Sequence, residues 1–442
     1  MMGHRLLIIQ PSYYRSKADR TVFRVRRRSV VPLTLPYLAA LTPATWEIEL
    51  LDEQLQPVDF DCRADLVALT SGTLNSLRAY DIADEFRRRG VPVMMGGPHT
   101  HFHAAEAGEH CSAVGIGEAE SIWPAMLEDV VQGRLKPLYR AELLSSLTGL
   151  PLPRYDLLNR SGYGPFRTFV VVSSRGCPFR CEFCSERFLL GDTYRCRPVP
   201  EVIEEIRRCR ARHVMFGDSN FGGKRSHAME LMAALIPLRL RWSALWSAYL
   251  CNDPEFMDLA ARSGLLHVNL GLESLDPETL AGMSKRFNKT HRYGEMLAHL
   301  RRRGISYSLN FIFGWDGESG QVFRATLAFL QQHKVPVAYF NILTPVKGTP
   351  LYDRLQREGR ILNQQEIDRW PGQICHLQPL QGTPAGLESE VQRLYQDFYS
   401  LPSIITRLPL PWTKANIASW IINLSQRRMA RAAPCHNNFD GY

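Results

Sequence analysis

The feature that most constrains this chain is the stretch Ser173 to Phe188, S-S-R-G-C-P-F-R-C-E-F-C-S-E-R-F, which sets Cys177, Cys181 and Cys184 at the spacing C-x-x-x-C-x-x-C. The run Phe169-Val170-Val171-Val172 leads straight into it, so a strand feeds a cysteine loop. Iron–sulfur clusters are held by cysteine thiolates, and a cubane offers four iron positions. Three ligands from one short loop leave one iron open to a small chelating ligand. A structural zinc site takes four closed ligands, usually as two separated pairs, and no second C-x-x-C or Cys/His pair follows downstream. A disulfide framework belongs to small secreted chains, and this one has 442 residues. Motif and context together point to a cluster.

The loop resembles the signature of the radical S-adenosylmethionine (SAM) enzymes. That resemblance implies a [4Fe–4S] cluster on Cys177, Cys181 and Cys184, with the methionyl amine and carboxylate of SAM on the fourth iron. It also implies that Phe183, the aromatic before the third cysteine, packs by the adenine. Gly176 allows close backbone approach and Pro178 fixes the turn.

Residues 1–140 alternate short apolar runs with helical stretches. Arg5 to Ile9, Trp46 to Leu51, Leu66 to Leu69, Val91 to Met95 and Ala113 to Ile116 are expected strands; Leu33 to Leu41 and Leu74 to Arg89 are expected helices. The alternation predicts a doubly wound parallel sheet, whose ligands sit beyond the carboxyl ends of the strands. Those ends carry small residues, and beside the cysteine loop the segment resembles the N-terminal cobalamin-binding domain of a branch of radical SAM enzymes. The resemblance implies that Thr70, Ser71, Thr73, Gly96, Gly97, Pro98, Gly117 and Glu118 face cobalamin. The D-x-H-x-x-G motif that donates a lower axial histidine elsewhere is absent, and His99, His101 and His103 lie in a different loop. A base-off cofactor without a histidine ligand is therefore expected, against the alternative of a scaffold domain that binds nothing.

Residues 141–164 form a proline-containing linker, and residues 165–365 carry six strand-and-helix units, the count of an open partial (β/α)6 barrel rather than a closed one. Acids stand at two of its strand ends. In the resemblance Asp218 grips the amino group of SAM, although Ser219 follows where many relatives carry a second acid, and Glu273 meets the ribose hydroxyls. Residues 366–442 form a mostly helical extension. Trp370-Pro371-Gly372 breaks the chain there, and Ile417, Trp420, Ile421 and Leu424 mark an apolar helical face flanked by Lys414, Arg427, Arg428 and Arg431. Docking of that face onto the core is expected, with membrane contact as the less common fate. Pro434 to Tyr442 are expected to be unordered, so a metal role for Cys435 and His436 is set aside.

At 45% hydrophobic and 22% charged residues the composition is that of an ordinary globular protein, with no apolar run long enough to span a bilayer. The N-terminal apolar run, Leu6 to Ile9, is too short for a signal peptide, and a cytoplasmic location is expected. The net charge of +9, densest at Arg24 to Arg28, comes without a nucleic-acid-binding motif, so no nucleic-acid partner is expected. The resemblance implies a cobalamin-dependent methyltransferase: a 5′-deoxyadenosyl radical activates a substrate C–H for methyl transfer from methylcobalamin, giving S-adenosylhomocysteine and 5′-deoxyadenosine. The alternative is a radical enzyme for cyclisation, rearrangement or oxidation, with cobalamin as electron carrier or absent. An iron–sulfur sensor is a third, non-catalytic reading. Expected partners are a small-molecule or natural-product substrate and an electron donor such as flavodoxin or ferredoxin. The sequence leaves a lipid, a tetrapyrrole, a peptide and a natural-product intermediate all open.

Overall fold

The computed structural model describes residues 3–15, 20–363, 372–409 and 414–431; the Trp370-Pro371 break and the segment 434–442 lie outside them. Two parallel sheets dominate. The first is built from β1 (His4–Gln10), β3 (Trp46–Asp52), β4 (Leu66–Thr70), β5 (Val93–Gly96), β6 (Ala113–Ile116) and β7 (Leu138–Arg140), in the order β3-β1-β4-β5-β6-β7. The second runs β15-β14-β13-β12-β11-β8-β2. Its strands are β2 (Arg28–Val31), β8 (Tyr163–Val171), β11 (His213–Phe216), β12 (Arg241–Trp246), β13 (Leu265–Glu273), β14 (Ser306–Phe313) and β15 (Val337–Ile342). A two-stranded ribbon of β9 (Ser174–Arg175) and β10 (Arg195–Cys196) sits beside it.

The expected doubly wound sheet and open six-unit barrel are both present, with one addition to each. β7 extends the first sheet, and β2, from within the first hundred residues, pairs with β8 at the edge of the barrel sheet, Val31 opposite Phe169. Neither is legible in sequence, since three or four residues carry no period.

Alternation explains the first sheet. Leu6 and Ile8 of β1 belong to one core cluster and Leu7 and Ile9 to another on the opposite face, as a parallel sheet covered on both faces requires. Ile9 is fully buried, so Ile9→Ala costs about 2–5 kcal/mol. The first of those clusters also takes in Tyr163 and Phe169 of β8 and Cys209 of the helix Val199–Cys209; the two sheets thus share apolar core. In the barrel and the extension after it, four helices open with the same device. Asp253-Pro254, Asp276-Pro277, Thr349-Pro350 and Thr383-Pro384 each accept, on a capping oxygen, the backbone N–H three residues on and put proline in the first turn.

The tail departs from expectation. Helix Lys414–Arg431 docks through Ser419, Asn423 and Ala430, while Ile417, Ile421 and Leu424 stay exposed. The reason lies beneath it. Arg407 is buried against the Phe398 ring, 3.6 Å from its centroid, and donates to the carbonyl oxygens of Val335 and Phe398 and to Asn423 Oδ1. Asn423 Nδ2 in turn donates to the Pro336 carbonyl at 2.8 Å. A buried cation needs acceptors, so the polar side of the helix is the one drawn inward. Among the described residues no helix is long and apolar enough to cross a membrane.

Candidate active site between the two sheets

The cysteine loop leaves the barrel sheet beyond β8, and its entrance is fixed by Asp218. One carboxylate oxygen accepts the Ser173 N–H at 2.7 Å; the other accepts the hydroxyls of Ser173 and Ser174 at 2.5 and 2.6 Å. Burial pushes this carboxyl up, against the pull of those donors. With both oxygens engaged, Asp218 brackets the entrance of the loop. Gly176 has a different reason from the one expected. Its φ is +88°, and a Cβ there would lie 2.3 Å from the Thr193 carbonyl oxygen, so the backbone itself demands glycine.

The loop brings Cys177, Cys181 and Cys184 together: each thiol lies within electrostatic reach of another, and none is in a disulfide. Among the described residues, His99, His103 and Glu106 form a group of metal-capable side chains whose donor atoms fall within 4.8 Å of one another. Burial pushes all three thiols up, Cys184 to about 12, so loading a cluster displaces protons.

Around the thiols the polar groups are few and placed. Asn220 lies beside Cys177. Its Oδ1 accepts the Ser247 N–H at 3.2 Å, while its buried Nδ2 has no acceptor within the protein. Such an orphan donor fits a bound group rich in acceptors, as cluster sulfides and a SAM carboxylate are. Ser219 donates to Glu186 at 2.5 Å. Glu273, at the end of β13 with φ +65°, forms a buried ion pair with Lys285. Burial opposes the charge on Lys285, but Glu273 and the thiols of Cys181 and Cys184 hold its value up. Its ammonium stands 5.9 Å from the ring centroids of both Phe183 and Phe287. Phe183 packs against the barrel core. Phe179 and Phe287 stack at 4.0 Å, with Tyr249 edge-on to both. Sequence reasoning missed Phe287, which carries no motif.

At the first sheet, Thr70, Gly96, Gly97 and Gly117 line a cavity of about 190 Å³ completed by Leu38, Leu69, Met94, Met95, Ile122, Trp123 and Met126. Ser71 is buried beneath it, donating its N–H to the Gly96 carbonyl and accepting from His99 N–H. Gly97 has φ +114°, and a Cβ there would strike the Ser71 backbone at 2.6 Å. The slot's apolar walls and lack of side chains at its mouth suit a flat aromatic base such as the benzimidazole of base-off cobalamin. Pro98 opens the short helix Pro98–Phe102, and Thr73 opens a single turn, Thr73–Asn75. His99, His101 and His103 do not line the slot; His99 is buried in a hydrogen bond with the Tyr80 hydroxyl.

Glu118 does not face the slot. Its Oε1 accepts from Arg175 at 3.0 Å, and its Oε2 accepts from Arg195 at 2.8 Å and from the Leu144 N–H at 2.6 Å. Burial works to raise this carboxyl, and the two arginines hold it low. Arg175 also reaches Glu120 at 2.6 Å, which Tyr37 bonds at 2.5 Å. Arg175 is two residues from Cys177 and Glu118 one from Gly117, so a single buried ion-pair cluster joins the cysteine loop to the rim of the slot.

Comparison with known proteins matches this construction. Residues 171–330 match the family model of the radical SAM superfamily. The chain is 30% identical over 415 residues to the bacteriochlorophyllide d C-12(1)-methyltransferase of Chlorobaculum tepidum, covering 91% of this chain and 89% of that one. It is 27% identical over 392 residues to the bacteriochlorophyllide d C-8(2)-methyltransferase of the same organism, covering 85% and 87%. Among solved structures, the radical SAM methyltransferase TsrM of Kitasatospora setae, with cobalamin and a [4Fe–4S] cluster bound, superimposes with a TM-score of 0.68 at 20% identity, over 97% of this chain and 99% of that one. With a three-cysteine loop on an open barrel clamped to a slotted parallel sheet, and full-length similarity to these enzymes, the chain belongs to the cobalamin-dependent radical SAM methyltransferase family.

Proposed function

We propose that this enzyme transfers a methyl group to an unactivated carbon of a flat, tetrapyrrole-class substrate. The observation that carries the reading is the aromatic wall of Phe179, Tyr249 and Phe287 beside Cys177, which offers a broad π surface at the mouth of an open barrel. Two relatives that match over most of their length act on bacteriochlorophyllides.

When bound, the cluster supplies the electron that cleaves the carbon–sulfur bond of SAM, and cobalamin carries the methyl group. The chain's own part is holding and shielding. Cys177, Cys181 and Cys184 are the residues that hold the cluster. Asp218 sets their loop through Ser173 and Ser174. Asn220 Nδ2 donates into the ligand space, and Lys285, steadied by Glu273, places a cation there for an anionic group. In this reading Glu273 serves SAM by orienting Lys285, and its own reach to the ribose is secondary. Thr70, Gly96, Gly97 and Gly117 hold the base of cobalamin in the apolar slot. A flavodoxin- or ferredoxin-type donor delivers the electron.

The test is anaerobic turnover of reconstituted enzyme with SAM, cobalamin, a reductant and a chlorophyllide or bacteriochlorophyllide acceptor. Methylated pigment with both S-adenosylhomocysteine and 5′-deoxyadenosine is expected. 5′-Deoxyadenosine without S-adenosylhomocysteine would move the protein to the non-methylating class, and methylation confined to acyclic acceptors would overturn the substrate class.

A further inference from the structure

Helix Lys414–Arg431 presents its apolar stripe outward. Ile417, Ile421 and Leu424 are 45%, 63% and 48% exposed and recur at i, i+4 and i+7. Arg428 and Arg431, both exposed, continue the stripe at i+11 and i+14. At 100° per residue these five positions fall within a sector about 80° wide. The buried positions, Ser419, Asn423 and Ala430, lie on the other side. The neighbouring helix Leu401–Arg407, tied on through Arg407 and Asn423, exposes Leu401 and Ile405 as well, at 43% and 64%.

We propose that this face is a contact surface for an anionic lipid bilayer, with the aliphatic side chains in the acyl boundary and the arginines at the headgroup phosphates. The polar anchoring of Asn423 beneath the helix fixes the stripe outward, so it is a built surface rather than an accident of packing. Its charge chooses the occupant. The segment Lys414–Arg431 contains no acidic residue, and the stripe ends in two arginines in line with the aliphatics. This is the pattern of a helix lying in a membrane interface, where each arginine gains from anionic lipid. A second copy of the chain fits it poorly. Parallel pairing sets arginine against arginine, and antiparallel pairing lays Arg428 and Arg431 across the other copy's isoleucines.

The test is flotation of the full-length, anaerobically reconstituted enzyme with vesicles of about one third phosphatidylglycerol in phosphatidylcholine, against pure phosphatidylcholine. The protein is expected to float with the anionic vesicles, and partition to fall about tenfold in pure phosphatidylcholine or at about 0.5 M salt. Ile421→Glu with Leu424→Glu should abolish flotation while leaving cluster absorption and melting temperature unchanged, since both side chains are exposed. Arg428→Gln with Arg431→Gln should remove the preference for anionic lipid. The proposal is overturned if the wild type stays unbound on anionic vesicles, or if the Glu variant floats as before. It is equally overturned if light scattering shows a lipid-free dimer that the Glu variant dissolves, which would make the stripe an interface between copies.

Discussion

The strand ends of the two sheets are built on opposite principles. Beyond the barrel strands three carboxylates near the thiols each have a polar partner: Asp218 with two serines, Glu273 with Lys285, Glu186 with Ser219. Beyond the first sheet the site is a slot made by leaving side chains out, with glycine at 96, 97 and 117 and aliphatic walls behind. One end binds through what its residues donate; the other through the shape they vacate. Between them lies the Arg175 cluster, a charged hinge that shares the contact between the sheets with apolar core and with a second polar link, where Asp52 accepts from Arg28 at 2.6 Å and from the Tyr163 hydroxyl at 3.0 Å.

The largest expected effect comes from removing what the barrel end donates. Cys177→Ala should lose the cluster, seen as loss of its visible absorption after reconstitution, with 5′-deoxyadenosine formation down by more than about a hundredfold. Cobalamin retention should survive, because the slot uses none of the loop. Simultaneous loss of both cofactors would show that the two ends are one site rather than two.

Arg175→Gln tests the hinge. It strips a buried cation from Glu118 and Glu120, and breaking a buried pair from one side costs about 3–5 kcal/mol. A clear drop in melting temperature is expected, with weaker retention of both cofactors in the folded protein. An unchanged melting temperature would mean that the apolar core and the Asp52 link to Arg28 and Tyr163 join the sheets without help from the Arg175 cluster.

These contrasts also explain what the sequence disclosed. The cysteines were legible because cluster chemistry needs that residue type at that spacing, and the helices of the barrel because cap and proline mark their starts. Asp218, Glu118 and Glu273 were legible as strand-end acids, but not in what they do: an acid facing a ligand and an acid bracketing a neighbour look alike until Ser173, Arg175 and Lys285 are placed. Phe287 and Asn220 reach the site by tertiary folding alone. In the tail the 3.6-residue period of Ile417, Ile421 and Leu424 was sound, yet its inward assignment failed. Periodicity names a face without saying what lies beneath, and here a buried arginine lay beneath.

A smaller effect concerns Glu318, a carboxylate with a buried, unmatched oxygen. Glu318 accepts the N–H groups of Gly314 and Trp315 through Oε2, while its Oε1 is buried without a partner. Burial pushes it up to about 7 from 4.5. A carboxyl raised by folding contributes stability that is full below its unfolded value and lost as pH rises through the folded one. The wild type should therefore lose up to about 3 kcal/mol relative to Glu318→Gln between pH 4.5 and 8, at about 1.4 kcal/mol per unit. Urea midpoints across that range check it, and parallel curves for the two proteins would refute a neutral Glu318.

The finest distinction tests the vacated end by filling it one carbon at a time. Gly96 lines the slot, and a Cβ built on it meets only the Gly115 carbonyl oxygen, at 3.6 Å, an ordinary contact. Gly96→Ala should fold and keep most cobalamin. Gly96→Val sends two methyls into a cavity of about 190 Å³ and should lower cobalamin affinity about tenfold, roughly 1.4 kcal/mol, with cluster absorption intact. Spectra after gel filtration against added hydroxocobalamin would show it. Equal retention by both variants would place the cobalamin base elsewhere. A graded loss from glycine to alanine to valine is what a site defined by shape must give, and what a site defined by donated charge would not.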